Sequence, residues 1–201
     1  MSLQPLDVDT LAEVAPDLER ARKMLGFIPN SLLIMARRPG LLRAFGQLAG
    51  EVFAGADLDR DLKDMIAHVA SAAAGCVYCQ AHTASKLAGS EMAKGKLASV
   101  WEFEQSALFD DAEKSALRLA RDAAVVPNAV TADHFEDLQR FYSEEQIIDI
   151  VGIVGLFGFL NRWNDTLATP LEDAPARFAE EVLSGRGWSI GKHTDERSGD
   201  G

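Results

Sequence analysis

Cysteine and positive charge are what this sequence has least of. Two cysteines in 201 residues exclude the disulfide-stapled secreted class, in which several pairs close long loops in much smaller chains. Lys and Arg number 20 against 31 Asp and Glu, a formal net charge of −11. A phosphate backbone is repelled by such a field and no basic stripe relieves it, so nucleic acid is excluded as a partner and anionic lipid is disfavoured. No uninterrupted apolar run approaches the roughly 18 residues of a membrane span. The opening MSLQPLDVDTLAEV lacks both the basic start and the apolar core of a secretory signal. The cytoplasm is therefore the expected compartment, with no membrane attachment.

Alternating strand patterns are also missing, while helical spacing is present almost throughout. A hydrophobic fraction of 47% with 25% charged residues is enough apolar surface for one sizeable core. The expectation is a single all-α helical domain over residues 1–188, followed by a polar, glycine-containing tail over 189–201 that lacks the apolar residues to fold. Helices are predicted from Asp17 to Leu25, Pro39 to about Phe53, Asp59 to about Ala74, the cysteine pair to Leu87, Glu91 to about Glu102, Asp111 to Ala124, Thr131 to Phe141, and Pro175 to Leu183. Ser143-Glu144-Glu145-Gln146 has the form of a capping box and opens a long apolar helix to about Leu167. Inside that helix Gly152, Gly155 and Gly158 recur every third residue. Each costs roughly 1 kcal/mol relative to alanine, which calls for a close neighbour, in the core or in a second subunit. There is also an echo at an offset of 85 residues: Asp64, Cys76, Tyr78 and Cys79 fall on Asp149, Asn161, Trp163 and Asn164. It suggests a repeated helix pair that would bring Asn161, Trp163 and Asn164 near the cysteines.

The two cysteines stand three apart, as Cys76-Val77-Tyr78-Cys79, and in a chain of this kind C-x-x-C reads as a redox or metal pair. Asp64 and His68 are four apart and share one face of the preceding helix. Cys79, His82 and Thr83 share a face of the next, and Gly75 makes the joint between the two. If the helices pack against each other there, a carboxylate, two imidazoles and two thiols converge. Cys76 begins its helix, where unpaired N–H groups and the helix dipole favour a thiolate. His82 could take a proton from Cys79, and Asp64 could orient a histidine, as third groups do in nucleophile–base systems.

An acidic residue, eleven intervening residues, C-x-x-C and a nearby histidine, set in an alanine-rich helical hairpin, resemble the core of the alkylhydroperoxidase D-like (carboxymuconolactone decarboxylase) family. The resemblance is nearest to its peroxidase-related branch, which carries CxYCQAHT. It extends to Gly26-Phe27-Ile28-Pro29-Asn30, Arg38-Pro39-Gly40 and Leu160-Asn161-Arg162-Trp163-Asn164-Asp165, and touches most of residues 20–170. What it implies is an all-helical fold, an obligate homo-oligomer (dimer, trimer or hexamer), and thiol-dependent reduction of a hydroperoxide. In that chemistry Cys79 attacks peroxide and becomes a sulfenic acid, Cys76 resolves it to a disulfide, and an external thiol or dithiol reductant restores the pair. No metal and no tightly bound cofactor is implied. The helix-terminus argument alone would instead choose Cys76 as the attacking sulfur.

Two positions depart from the family pattern. The acidic residue is Asp64 where Glu is usual, and the histidine is His82 where the family has it one residue later, at the position of Thr83. His68, one turn from Asp64, is the candidate to supply the missing reach. Other readings stay open: a non-catalytic redox sensor or disulfide-relay protein, and a zinc site using Cys76, Cys79 and His82 or His68. A thioredoxin-like enzyme would need a strand before the motif, and a lactone decarboxylase has no need of paired thiols. His134 and His193 look like surface and tail positions.

Overall fold

The computed structural model describes residues 3–55, 57–89 and 91–194. Helix α1 (Ala15–Leu25) ends at Gly26, which takes a left-handed φ of 83° and caps Arg22 through its N–H. A short α2 (Asn30–Met35) follows Pro29 and was not anticipated. Its six residues are too few for helical spacing to show. Then come α3 (Pro39–Ala54), α4 (Arg60–Ala73) and α5 (Val77–Lys86). The helix predicted to reach Glu102 is split into α6 (Glu91–Ala98) and a 3₁₀ turn at Val100–Glu102. Helices α7 (Asp111–Ala124), α8 (Ala132–Gln139) and α9 (Glu144–Leu167) each open on a two-sided capping box, led by Asp110, Thr131 and Ser143. Helix α10 (Asp173–Leu183) completes the set, and there is no strand among the described residues.

Helix α4 is the hub. Its buried face packs on α5, α7 and α9, and small residues on both sides allow close approach, notably Ala67 and Ala70 on α4 with Ala116 and Ala120 on α7, all fully buried. A smaller apolar cluster of Leu11, Val14, Leu18, Met35 and Leu42 holds the N-terminal elements together. By length and composition alone α9 could span a membrane, although its polar residues had hidden this in the sequence. In this fold it contacts α3, α4, α5, α7 and α8, and Asn161 and Asn164 on it are buried in the interior.

Two expectations need correction. The chain is ordered past residue 188: Trp188 is buried with its indole N–H on the carbonyl of Val77, and His193 is completely buried and donates from Nδ1 to the carbonyl of Thr169. The tail forecast for 189–201 thus fails for 189–194, where a few large side chains find a groove, and its remainder, 195–201, lies outside the described residues. The echo at 85 residues is not a repeated helix pair. Gly75 breaks α4 from α5, whereas α9 runs unbroken through Asn161 and Asn164. Of the three glycines in α9, Gly152 meets a neighbour in the core, Val52 at 3.5 Å, while Gly155 and Gly158 have open space where a Cβ would stand.

Helix α9 ends on Ala168 in a left-handed conformation, φ 47°, which costs an L-residue about 1–2 kcal/mol. Ala168→Gly relieves that strain and gives back part of the gain through a freer unfolded chain. The expected net is about 0.5–1 kcal/mol of added stability, read as a Tm raised by about 2–4 °C in thermal denaturation.

Candidate active site around Cys76 and Cys79

The site begins with the way α4 stops. Gly75, at φ 75°, reverses the chain, and the N–H of Cys76 returns to the carbonyl of Ser71 at 3.0 Å. This leaves Cys76 as the N-cap of α5, with its Sγ accepting the N–H of Cys79 at 3.5 Å. A sulfur thus occupies the place usually held by a Ser or Asp oxygen. The S–H of Cys79 draws the Cys76 pKa below the ordinary thiol range; burial opposes this, and the N–H groups of Cys79 and Tyr78 assist it. For Cys79, burial pushes the pKa well up and the neighbouring Cys76 adds to the rise, against a smaller pull from Asn164 and Lys86. Of the two sulfurs, Cys76 is thus the one favoured to ionise and Cys79 the one held as a thiol. Asn164 donates from Nδ2 to the Cys79 sulfur at 3.5 Å, so the expectation that the end of α9 lines this site holds for Asn164.

His82 is engaged by a residue that sequence reasoning missed. Its Nε2 lies 2.6 Å from Oε2 of Glu172. The other oxygen of that carboxylate accepts the Tyr78 hydroxyl at 2.9 Å and the N–H of Asn30. The imidazole stacks on the Tyr78 ring, with centroids 4.4 Å apart, and meets Phe27 on another side. Burial would raise the Glu172 pKa, but the hydrogen bond and charge of His82, with the Asn30 N–H, outweigh it and hold the group below the ordinary carboxylate range. In the sequence, Glu172 just before α10 looks like a helix cap. It occupies that N-cap position without capping with its side chain, and it spends its carboxylate on α2 and α5 instead.

The expected Asp64–histidine relay is not assembled. Asp64 is buried with Oδ2 on Nε of Arg60 at 2.9 Å, while Oδ1 makes no hydrogen bond and stands 3.9 Å from Nζ of Lys86. His68 is fully buried, and burial lowers its pKa to about 4. It stays neutral near pH 7, and its Nδ1 meets Thr83 Oγ1 at 2.9 Å while that hydroxyl donates to the carbonyl of Cys79 at 2.8 Å. His68 thus braces the backbone of the cysteine helix through Thr83 rather than reaching a sulfur. Asp64 and His82 do share a cavity of about 360 Å³ with Phe27, Arg60 and Lys86. The zinc reading has no geometry behind it: no group of three His, Cys, Asp or Glu side chains converges as a metal site among the described residues.

The comparisons agree with this architecture. The model of the carboxymuconolactone decarboxylase family matches residues 39–122, spanning α3 to most of α7. The crystal structure of the debrominase Bmp8 without ligand is 34% identical, with a TM-score of 0.83 over 90% of this chain and 97% of that one. A cysteine-to-alanine variant of the same debrominase, in complex with 2,3,4-tribromopyrrole, gives 33% identity and a TM-score of 0.84 over 90% and 96% of the two chains. This chain belongs to the carboxymuconolactone decarboxylase, or AhpD-like, family. A peroxidase-related protein with an AhpD core from Ralstonia eutropha JMP134 shares the fold at 23% identity and a TM-score of 0.71, covering 94% of this chain and all of that one. The uncharacterized protein YnjA of Escherichia coli (strain K12) is 28% identical over 97 residues, which is 48% of this chain and only about half, 53%, of YnjA.

Within this AhpD-like site, Glu172 satisfies three donors at once. Glu172→Ala would leave Tyr78, His82 and the Asn30 N–H without their shared acceptor in a buried place. The expected cost is about 2–4 kcal/mol, measured as a lowered urea midpoint at unchanged m-value, with Glu172→Gln losing less because it keeps one acceptor oxygen.

Proposed function

We propose that this chain is a thiol-dependent reductase whose Cys76–Cys79 pair takes an electrophilic group from its substrate, with an organic hydroperoxide as the substrate class. The observation that carries this reading is the contact of the two cysteines at the start of α5, where the Cys76 sulfur caps the helix and accepts the N–H of Cys79 at 3.5 Å. Cys76 is the more acidic sulfur, but Cys79 lies on the α5 face that also carries His82 and Lys86, both of which line the cavity. Cys79 attacks after passing its proton to Cys76 across the hydrogen bond between them. The distal peroxide oxygen becomes the hydroxyl of a sulfenic acid on Cys79, and the O–O bond breaks. The Cys76 thiol then condenses with the sulfenic acid, releasing water and forming the disulfide, which an external dithiol reduces. Acidity and placement thus divide between the two sulfurs, which reconciles the helix-terminus argument with the family assignment.

A second reading has its own support, the 33–34% identity along nearly the whole debrominase chain. There the electrophile passed to sulfur would be a bromine of a brominated aromatic ring, with the same disulfide as the end state. Dithiol-driven turnover assays on cumene hydroperoxide and on a brominated pyrrole, with wild type, Cys76→Ser and Cys79→Ser, separate the two. We expect hydroperoxide turnover to fall by at least about 100-fold in Cys79→Ser, and a sulfenic acid to be trapped on Cys79 when Cys76 is serine. Bromide release without hydroperoxide consumption would establish the second reading. Rapid disulfide formation without turnover of either substrate would point to a redox sensor.

The reading includes a homo-oligomer. Ile148, Val151 and Phe159 on α9 and Leu48 on α3 expose large apolar side chains, beside Gly155 and Gly158, whose missing side chains leave room for close approach by a second copy. Val151→Glu places a charge in that contact and is expected to lower the mass measured by light scattering to that of a smaller species or a monomer.

A further inference from the structure

Lys86 is unusual among the cations of this chain. Its side chain is three-quarters buried and lines the cavity, and its ammonium donates no hydrogen bond among the described residues. It lies 5.2 Å from the centroid of the Phe53 ring and 3.9 Å from the unpartnered Oδ1 of Asp64. On α5 it follows Cys79 by seven residues, two helical turns, and helical side chains lean toward the N-terminus, over the turn that carries His82, so that its charge acts on Cys79 along the same face. The charges facing it are Asp64 and Arg60 from α4 and Cys79 from its own helix. Burial lowers its pKa, Asp64 opposes this, and Arg60 adds to the lowering, which brings an amine closer to the range in which it can give up a proton near neutral pH.

The reaction needs such a proton. With the Cys76 thiolate taking the proton of Cys79, as in the reductase reading, the pair brings one hydrogen and the hydroperoxide another, whereas the products, an alcohol and a water, contain three. We propose that Lys86 is the general acid of the cavity, donating its proton to the alkoxide oxygen as the O–O bond breaks, with Asp64 holding the ammonium in place. As Cys79 sulfur bonds to the distal oxygen, the bonding pair of the O–O bond leaves on the proximal oxygen, and Nζ supplies the hydrogen that turns it into an alcohol. Solvent reprotonates the amine during reduction of the disulfide by external dithiol. This assignment rests on the reductase reading.

The test compares a substrate that needs a proton donor with one that does not, in Lys86→Met and Lys86→Arg. Cumene hydroperoxide expels a strongly basic alkoxide, whereas peracetic acid expels acetate, which leaves without help. We expect both variants to lose about 100-fold on cumene hydroperoxide and no more than about threefold on peracetic acid. Lys86→Arg keeps the charge beside Cys79 but cannot release a proton, so a loss in it reports proton transfer rather than electrostatics. Equal losses on the two substrates, or an unimpaired Lys86→Arg, would overturn the role of Lys86 while leaving the reductase intact. A wild type that reduces neither substrate would overturn the reductase reading, and the assignment with it.

Discussion

The site depends on a sulfur placed where a helix starts. Because Gly75 turns the chain and Cys76 caps α5, the N–H of Cys79 and the S–H of Cys79 both point at one sulfur atom. That single contact sets the order of ionisation, brings the thiols within reach of each other, and orients α5. The orientation in turn puts His82 and Lys86 on the wall of the cavity. A thiol in bulk water titrates above neutral pH, and burial alone would raise it further. The side chain of Cys79, assisted by the N–H groups at the helix terminus, reverses the trend for Cys76, at the expense of Cys79.

Around this contact the protein builds two kinds of support. On one side, neutral His68 and Thr83 brace the carbonyl of Cys79 from inside the core, where no charge is tolerated. On the other, Glu172 gathers Tyr78, His82 and Asn30, so that α2, α5 and the start of α10 meet at one carboxylate. Buried groups with several satisfied partners give rigidity, and the loss of one strands the others. The ordered stretch to Thr194 adds to this side: His193 lies near the Tyr78 ring and its backbone carbonyl accepts the N–H of Leu171, next to Glu172.

The division of labour among the charged groups differs from the expected relay. Helical spacing puts Asp64 on the face of His68 and makes it the expected partner of a histidine. In the fold those two side chains part: His68 turns into the core toward Thr83, while Asp64 meets Arg60 and faces Lys86. Spacing along one helix says which residues share a side. It does not say which of them meet a neighbour's cation and which its hydroxyl.

What the sequence determined by itself was local. Helical periodicity, caps and glycine stops placed most of the helices to within a few residues, because these signals act over one or two turns. The cysteine spacing and Gly75 mark the candidate site for the same reason. The tertiary structure alone decided that Glu172, ninety residues from His82, completes the site, that the unbroken α9 delivers Asn164 to Cys79, and that the segment up to residue 194 is packed rather than loose. These depend on which surfaces become buried together, and a buried polar group takes whatever partner the packing brings to it, however far away it lies in the chain.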